Sequence, residues 1–246
     1  MSEQGNSKSC RYILPQYFVR LDGCHAPLGC ALEEALLLKK NLRGTVTAVT
    51  VGPAQAQEVL YASVARGADS AVRVDADEFD PNLVSYILSL AIKRLSCDLI
   101  LTGVESSDGM SSQVGVSLAT ELALPYGYAV TKIEPGSELK SLIIERELGG
   151  GRHQTLEVSL PALLCIQSGI ARLSYTPAAK LFQARWSGVA CLAPATLGMS
   201  SDELKKRRKL TIVEVLEREK TSGIQMLTGS PDKVAHFIFD KIKEAG

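Results

Sequence analysis

The chain has no net charge to offer a polyanion. Its 246 residues carry 27 Lys plus Arg against 27 Asp plus Glu, so no overall basic field exists to hold nucleic acid or an anionic membrane. Long apolar runs are also missing. None approaches the roughly 20 residues that a membrane-spanning helix needs, and MSEQGNSKSC at the start lacks the apolar stretch of a secretory signal. A globular, cytoplasmic protein with no membrane span is expected. The six cysteines (10, 24, 30, 97, 165 and 191) form no CxxC pair and have no histidine at ligand spacing, which argues against zinc, an iron–sulfur cluster or a disulfide scaffold. They are expected as small core residues or free thiols. His153 and His236 lack a Ser, Cys or acidic partner at a recognisable spacing, so no hydrolase triad is expected. Neither GxxxxGK[ST] nor a strand-linked GxGxxG occurs, and no repeat of solenoid or propeller period is evident.

What is there is 46% hydrophobic content, enough for one large core or two modest ones. The apolar period switches repeatedly between strand and helix values. Val46 to Gly52 reads as a strand, Ala54 to Gly67 as a helix stopped by glycine, Ala71 to Val74 as a short strand, and Pro81 to Leu95 as a helix with proline in its first turn. Asp98 to Thr102 is a further strand. Upstream, Pro27 to Lys40 carries ALEEALLLKK, read as a helix with acids early and lysines at its end, as the helix dipole favours. This alternation implies crossover units, hence a doubly wound α/β fold on a mostly parallel sheet. From about Leu139 the pattern changes: LKSLIIEREL and HQTLEVSLPALLCI flank three glycines, which signals a β-hairpin. Residues 168–200, rich in Ala, Gly, Ser and Pro, read as an extended segment lying on something else, with Trp186 packed beneath it. Lys205 to Lys209 reads as a solvated helix end. Ser230, Pro231 and Asp232 open a last helix with Val234, Phe237, Ile238 and Ile242 on one face.

The chemistry is expected where LILTGVESSDGMSSQVGVSLATELALP leaves its strand. In an open parallel sheet, ligands gather where strands end and helices begin, because the amides there are unpaired and the helix dipole favours an anion. Gly109 lets a phosphate approach the main chain, Ser111 and Ser112 bring hydroxyls, and Gln113 can donate or accept. The end of the earlier strand, Thr50 to Pro53, lies nearby if both strands share a sheet. The alternative is that Ser and Asp merely cap the helix of 113–123, the commoner role of such residues.

The run GVESSDGMSSQVG resembles the G-[KR]-Q-x-x-D-[GD]-D-x-x-Q-[TV]-G tract of electron transfer flavoprotein beta subunits. TAVTVGPAQAQEVLYASVARGAD and ALEEALLLKK are similar to that family's strand-turn-helix and first long helix. The hairpin carries the longest match, filled in order by Ile144, Arg146, Gly150, Gly151, Gln154, Leu156, Pro161, Leu163, Leu164 and Cys165; Gly149 departs where an acid is usual. The resemblance implies an adenine nucleotide alpha hydrolase-like fold. It also implies AMP, or a second FAD, held by Val51, Asp108, Gly109, Ser111, Ser112, Gln113 and Val114. It implies an alpha-subunit partner that carries FAD, and a flavin dehydrogenase or other redox partner. Glu147 matches a carboxylate that helps seat the partner's mobile flavin domain, against the alternative of an ordinary exposed strand charge.

Departures from the family pattern bear on both ends of this reading. His25 stands at the asparagine of the usual N-P-[FY], within an altered YILPQYFVRLDGCHAPLGC, and Met110 replaces the second aspartate of the phosphate tract. In the docking loop QSGIARLSYTPAAK, Tyr175 is kept but Ala178 stands at the position of an inserting leucine, and Arg172 where an acid is usual. A leucine so inserted contributes on the order of 1.5–3 kcal/mol, so a different electron partner or docking surface is expected. The division expected is an α/β nucleotide-binding domain over 1–190, including the hairpin 139–167, and a C-terminal arm with its helix over 191–246, packing on the partner subunit. The competing functional class is a free-standing adenine-nucleotide sensor of universal-stress type, which the hairpin at 144–165 disfavours.

Overall fold

Short aliphatic runs and capped amphipathic stretches alternate along the first half of the chain, and the computed structural model turns them into strands and helices in that order; it describes residues 11–17, 26–106, 110–136, 140–214 and 226–245. Strands β1 (Arg11–Tyr17), β2 (Thr45–Gly52), β3 (Ser70–Asp75) and β4 (Leu99–Gly103) alternate with helices α1 (Ala26–Leu42), α2 (Gln57–Arg66) and α3 (Pro81–Lys93). A short 3-10 turn over Ala54–Ala56 leads into α2. Gly67 ends α2 at φ 129°, a conformation open chiefly to glycine. Asp80 starts α3 by accepting the Asn82 amide, with Pro81 in the first turn, where its missing N–H leaves no helical bond unmade. Glu33 and Glu34 do not open α1 as expected: that helix begins at Ala26, so its first turn has no acid, while Lys39 and Lys40 do close it.

Helix α4 (Val114–Leu122) leads to β5 (Tyr126–Pro135), then β6 (Ser141–Glu147), β7 (His153–Ser159) and β8 (Ala162–Ile166). Among the described residues nine strands make one sheet in the order β7-β6-β5-β8-β4-β1-β2-β3-β9, the last being Ala190–Leu192. Seven of them run parallel, β5 through β8, β4, β1, β2 and β3 to β9; only β6 and β7 are antiparallel to their neighbours. Alternation along the strands divides the core. Leu99, Leu101, Val46 and Ala48 meet α1 and α2 residues such as Leu32, Leu38 and Leu60. Ile100, Val49 and Val51 meet Val84, Ile87, Leu88 and Leu118 from α3 and α4. Helices therefore cover both faces, and each fully buried aliphatic side chain contributes about 1.5–3 kcal/mol.

The hairpin forms as expected: β6 and β7 pair from Ser141↔Ser159 to Glu147↔His153, and Gly149, Gly150 and Gly151 all take positive φ in the turn. The run HQTLEVSLPALLCI, however, is two strands, because its last five residues return to the main sheet beside β4. Only Leu160 and Pro161 separate β7 from β8, a reach of about 10 Å, so the hairpin must curl back on the sheet. The bend lies at a bulge in β5 between Gly127 and Val130, with Ala129 at φ 56°. It carries Leu142, Ile144 and Val158 into the cluster of Val130, Leu164 and Ile166. A side chain at Gly127 would meet Ile144 Cδ1 at 2.5 Å, so glycine is what lets β6 close on β5.

The stretch 168–200 is more structured than its composition suggested. It holds α5 (Ala178–Ala184) and β9, which extends the sheet beside β3. Both are too short to show a period, although AAKLFQA consists of adequate helix formers begun by Pro177. Trp186 is not packed beneath this segment; it is 81% exposed. Helix α6 (Ser201–Arg207) follows, and its basic end is less solvated than expected. The Arg207 guanidinium lies 3.9 Å from the Tyr86 ring centre and 2.6 Å from Glu121, and Arg208 reaches Glu78 at 2.6 Å. Lys205, Lys206 and Lys209 are exposed.

The chain divides into two compact units, Met1–Thr211 and Ile212–Gly246. A border at 190/191 would pass through β9. The second unit contains α7 (Pro231–Ala245), whose span and apolar spacing follow the sequence expectation. Among the described residues no helix is long and apolar enough to cross a membrane.

Candidate functional site

From β1 the chain builds β2 and β3 on one side and β4 on the other. At such a reversal in a parallel sheet the loops leaving adjacent strands diverge to opposite faces, and a crevice opens at the carboxyl ends. Among the described residues, Val51 near the end of β2 and the tract from Ser111 to Val114 after β4 stand at this edge of the sheet. β2 and β4 lie in the same sheet with β1 between them, so their ends are roughly 10 Å apart. Val51 is one residue from the end of β2, in register with Tyr17 and Val74. Its side chain is buried in the core, so Gly52 and Pro53 carry the chain out beyond it.

Helix α4 begins at the opposite lip. Gln113 is its N-cap at φ −98° and its side chain makes no capping bond. The amide of Ser117 donates to the Gln113 carbonyl at 2.9 Å, which leaves the amides of Val114, Gly115 and Val116 without intrahelical acceptors. The capping role weighed for the serines fails for Ser112: its hydroxyl donates instead to Glu105 at 3.0 Å. Met110 and Ser112 take φ of 41° and 52°, so the backbone entering α4 is wound into a left-handed turn that exposes Met110 and Gln113 and half-buries Ser111, Ser112 and Val114. Asp108 and Gly109 lie outside the described residues, as do His25 and the rest of 18–25.

Gly115 fixes how close α4 sits to the sheet. A Cβ there would lie 2.6 Å from Cys165 Sγ and 2.7 Å from Thr102 Oγ1, distances no real side chain occupies. The first turn of α4 therefore rests directly on β4 and β8. Burial pushes the Cys165 thiol up to about 11, with the Thr102 hydroxyl acting weakly the other way, so this sulfur serves as packing. Gly115 and Thr102 were missed from the sequence because the contact that gives them meaning joins three separate segments of the chain, β4, α4 and β8; a glycine in the first turn of a helix that follows a strand was the available signal.

Glu147 sits at the end of β6, exposed, and accepts from Gln167 Nε2 at 3.1 Å. Gln167 directly follows β8, and the Val104 amide donates to the carbonyl of Ile166 at 3.2 Å. Glu147 is thus joined through β8 to the end of β4, on the crevice edge. Tyr175 and Ala178 are elsewhere: Tyr175 is 89% exposed, and Ala178 opens α5. No group of three or more His, Cys, Asp or Glu that could hold a metal occurs among the described residues.

The strap after α6 is held by Asp80. Its carboxylate accepts from the amides of Lys209 and of Leu210, the latter at 2.8 Å, besides Asn82. Burial pushes this carboxyl up, but those amides and the Asn82 side chain prevail and hold it below the usual aspartate range.

The electron transfer flavoprotein domain model matches residues 29–185. The electron transfer flavoprotein subunit beta of Methylophilus methylotrophus is 32% identical over 219 residues, 87% of this chain and 83% of the relative. The human subunit beta is 30% identical over 224 residues, 88% of this chain and 82% of its own length. Protein FixA of Azotobacter vinelandii is 37% identical over 162 residues, 63% of this chain and 57% of the relative. The α/β sheet, the curled hairpin and the glycine-seated α4 thus lie in a chain that belongs to the electron transfer flavoprotein beta-subunit family.

Proposed function

We propose that this chain is the beta subunit of a heterodimeric electron transfer flavoprotein and that it holds an adenine nucleotide, AMP or a second FAD, on an adenine nucleotide alpha hydrolase-like frame. The observation that carries this reading is the start of α4: three amides without helical acceptors, no cap from Gln113, and a glycine that seats them against the sheet at the point where strand order reverses. Such a terminus favours an anion by charge and by geometry. Ser111, Ser112, Gln113 and Val114 supply donors around it, with Asp108 and Gly109 just before them in the sequence and Val51 across the crevice. Ser112 releases Glu105 when it turns to a phosphate oxygen, which frees that carboxylate to swing away from the ligand.

Bound FAD in the alpha subunit would supply the one- and two-electron chemistry. This chain does no bond chemistry in that scheme. It acts as the rigid base: the nucleotide crevice on one edge, and Glu147 beside it as a carboxylate for the partner's flavin domain. Electrons enter from a flavin dehydrogenase or another redox protein.

The test is to express this chain with an alpha subunit encoded beside it, purify the pair, and measure flavin absorbance and released adenine nucleotide per heterodimer. One flavin with one AMP supports a simple carrier, and two flavins support a second FAD in this subunit. A stable homodimer with bound nucleotide and no affinity for the alpha chain would favour the sensor class instead.

A further inference from the structure

We propose that Cys191 is an oxidation site: a hydroperoxide converts its thiol to a sulfenate, which a buried arginine fork holds and reports to the nucleotide crevice. β3 lies between β2 and β9, and Arg73 stands in register with Thr50 on one side and with Cys191 on the other. Its guanidinium reaches across all three strands. Nη1 donates to the Gly52 carbonyl at 2.9 Å and to Asp75 at 2.5 Å, while Nη2 donates to Cys191 Sγ at 3.2 Å. Gly52 is the last residue of β2, on the lip of the crevice.

What the fork lacks points to an oxygen on that sulfur. Arg73 is 7% exposed, and its Nε is buried with no hydrogen-bond partner. In a guanidinium, Nε–H and Nη2–H share one edge, the pair of parallel donors that grips an oxyanion with both prongs. Cys191 occupies one prong, and a thiol is a weak acceptor. The other bond is unmade, which is costly for a buried donor. A negatively charged oxygen bonded to Sγ would take it in a charge-assisted bond. The sulfur is also within reach of small oxidants: β9 is the edge strand of the sheet and Cys191 is exposed, whereas Cys30 and Cys165 are buried and Cys97 is half-buried.

The sulfur, as thiolate, attacks the terminal oxygen of the hydroperoxide. An S–O bond forms as the O–O bond breaks, and the departing oxygen takes up the proton that the thiol released. Sulfur loses two electrons and the peroxide is reduced to an alcohol or water. The resulting sulfenic acid gives its proton to solvent as the guanidinium takes the anion. That new charge competes with Asp75 and with the Gly52 carbonyl for one cation, so the tie that holds the end of β2 slackens. This link to the crevice rests on the reading of the crevice as a nucleotide site.

The experiment uses the purified full chain, reduced and free of nucleotide. It is treated with hydrogen peroxide in the presence of a cyclic dione that captures sulfenates, and the captured cysteines are mapped by mass. Cys191 should be captured about tenfold faster than Cys97 or more. Arg73→Lys, which keeps the charge and loses the fork, should cut that capture about fivefold, while Cys191 reacts with a maleimide as in the parent. In calorimetric titrations, oxidation should weaken AMP binding about fivefold or more. Cys191→Ser should abolish that response. Cys191→Asp, which sets a carboxylate on the fork without peroxide and leaves the buried arginine in place, should reproduce it. Capture at Cys191 no faster than at Cys97, or equal in the parent and Arg73→Lys, would overturn the oxidation site. Equal AMP affinity in the reduced, oxidised and Cys191→Asp proteins would overturn its link to the crevice. A reduced parent that binds no AMP would instead refute the nucleotide reading, and the capture rates would still decide the oxidation site.

Discussion

Replacing Gly115 with alanine tests whether the seat of α4 makes the site. The added Cβ would stand 2.6 Å from Cys165 Sγ and 2.7 Å from Thr102 Oγ1. Both atoms end short side chains boxed in by burial, Cys165 1% exposed on β8 and Thr102 5% exposed on β4. Carbon and sulfur sit comfortably at a little under 4 Å, so α4 must retreat by roughly 1 Å. Overpacking of this kind costs about 1–3 kcal/mol. Alanine returns at most about 1 kcal/mol in helix propensity, so the clash wins, and a net loss of about 1–2 kcal/mol should lower Tm by several degrees. The effect on ligand should be larger. A 1 Å retreat stretches amide-to-phosphate bonds beyond useful range, and each charge-assisted bond lost is worth about 1.5–3 kcal/mol, or tenfold and more in Kd. Calorimetric titration of the nucleotide-free protein with AMP, and nucleotide retained through purification, measure this directly. Removing the obstruction with Cys165→Ala in the same chain should restore part of the affinity. A Gly115→Ala protein that binds AMP as the parent does, with unchanged Tm, would refute the argument.

Asp80→Asn should cost on the order of 1–3 kcal/mol, because an amide group offers one acceptor where the carboxylate serves donors on both oxygens. Since the folded carboxyl titrates below its unfolded value of about 3.9, its stabilisation is complete above that pH and is lost as acid carries the protein through the lower, folded value. The Asp80→Asn protein should lack that component of acid sensitivity, and urea titrations between pH 3 and 7 would show it. Among the thiols of the described residues, exposed Cys191 should react first with a disulfide reagent at pH 8. Burial, joined at Cys97 by the charge of Asp98, pushes Cys97 and Cys165 to about 11, so their thiolate populations are on the order of a hundredfold lower than that of an ordinary thiol; peptide mapping by mass checks the order, and early labelling of Cys165 would contradict the packing described. Glu147→Ala should leave stability within about 0.5 kcal/mol of the parent's, as exposed polar contacts contribute little, yet slow electron transfer through the heterodimer; equal rates would remove Glu147 from the docking scheme.

Reading the sequence located the strands and helices of 45–103 to within a few residues because their signals are local. Gly67 stops α2, Asp80 and Pro81 start α3, and the unbroken apolar run of Leu99, Ile100 and Leu101 reports a strand covered on both sides. Three glycines at φ near 60–80° announce the hairpin turn. What composition hid was structure too short to have a period, α5 and β9, and the exposure of Trp186, since an aromatic residue looks the same in sequence whether it fills a core or waits for a partner.

The geometry of the candidate site was legible only in outline for a related reason. Position at a strand end can be read from order along the chain, so the tract around Ser111 to Val114 could be named. Contacts that shape it cannot. Ser112 turns to Glu105 rather than capping α4, Gly115 rests on a sulfur fifty residues later, and Asp80 holds amides 129 and 130 residues away. The seat of α4 is a consequence of the sheet order β8-β4-β1, which sets β8 against β4 although the whole hairpin intervenes in sequence. That insertion is what links the two parts of the candidate site: β8 carries Cys165 under α4, and Gln167, directly after β8, lies beside Glu147. A displacement of β8 should therefore disturb the proposed nucleotide binding and Glu147 together, whereas a change confined to the hairpin tip at Gly149–Gly151, where an added Cβ meets nothing within 4 Å, should disturb neither beyond the strain of its positive φ.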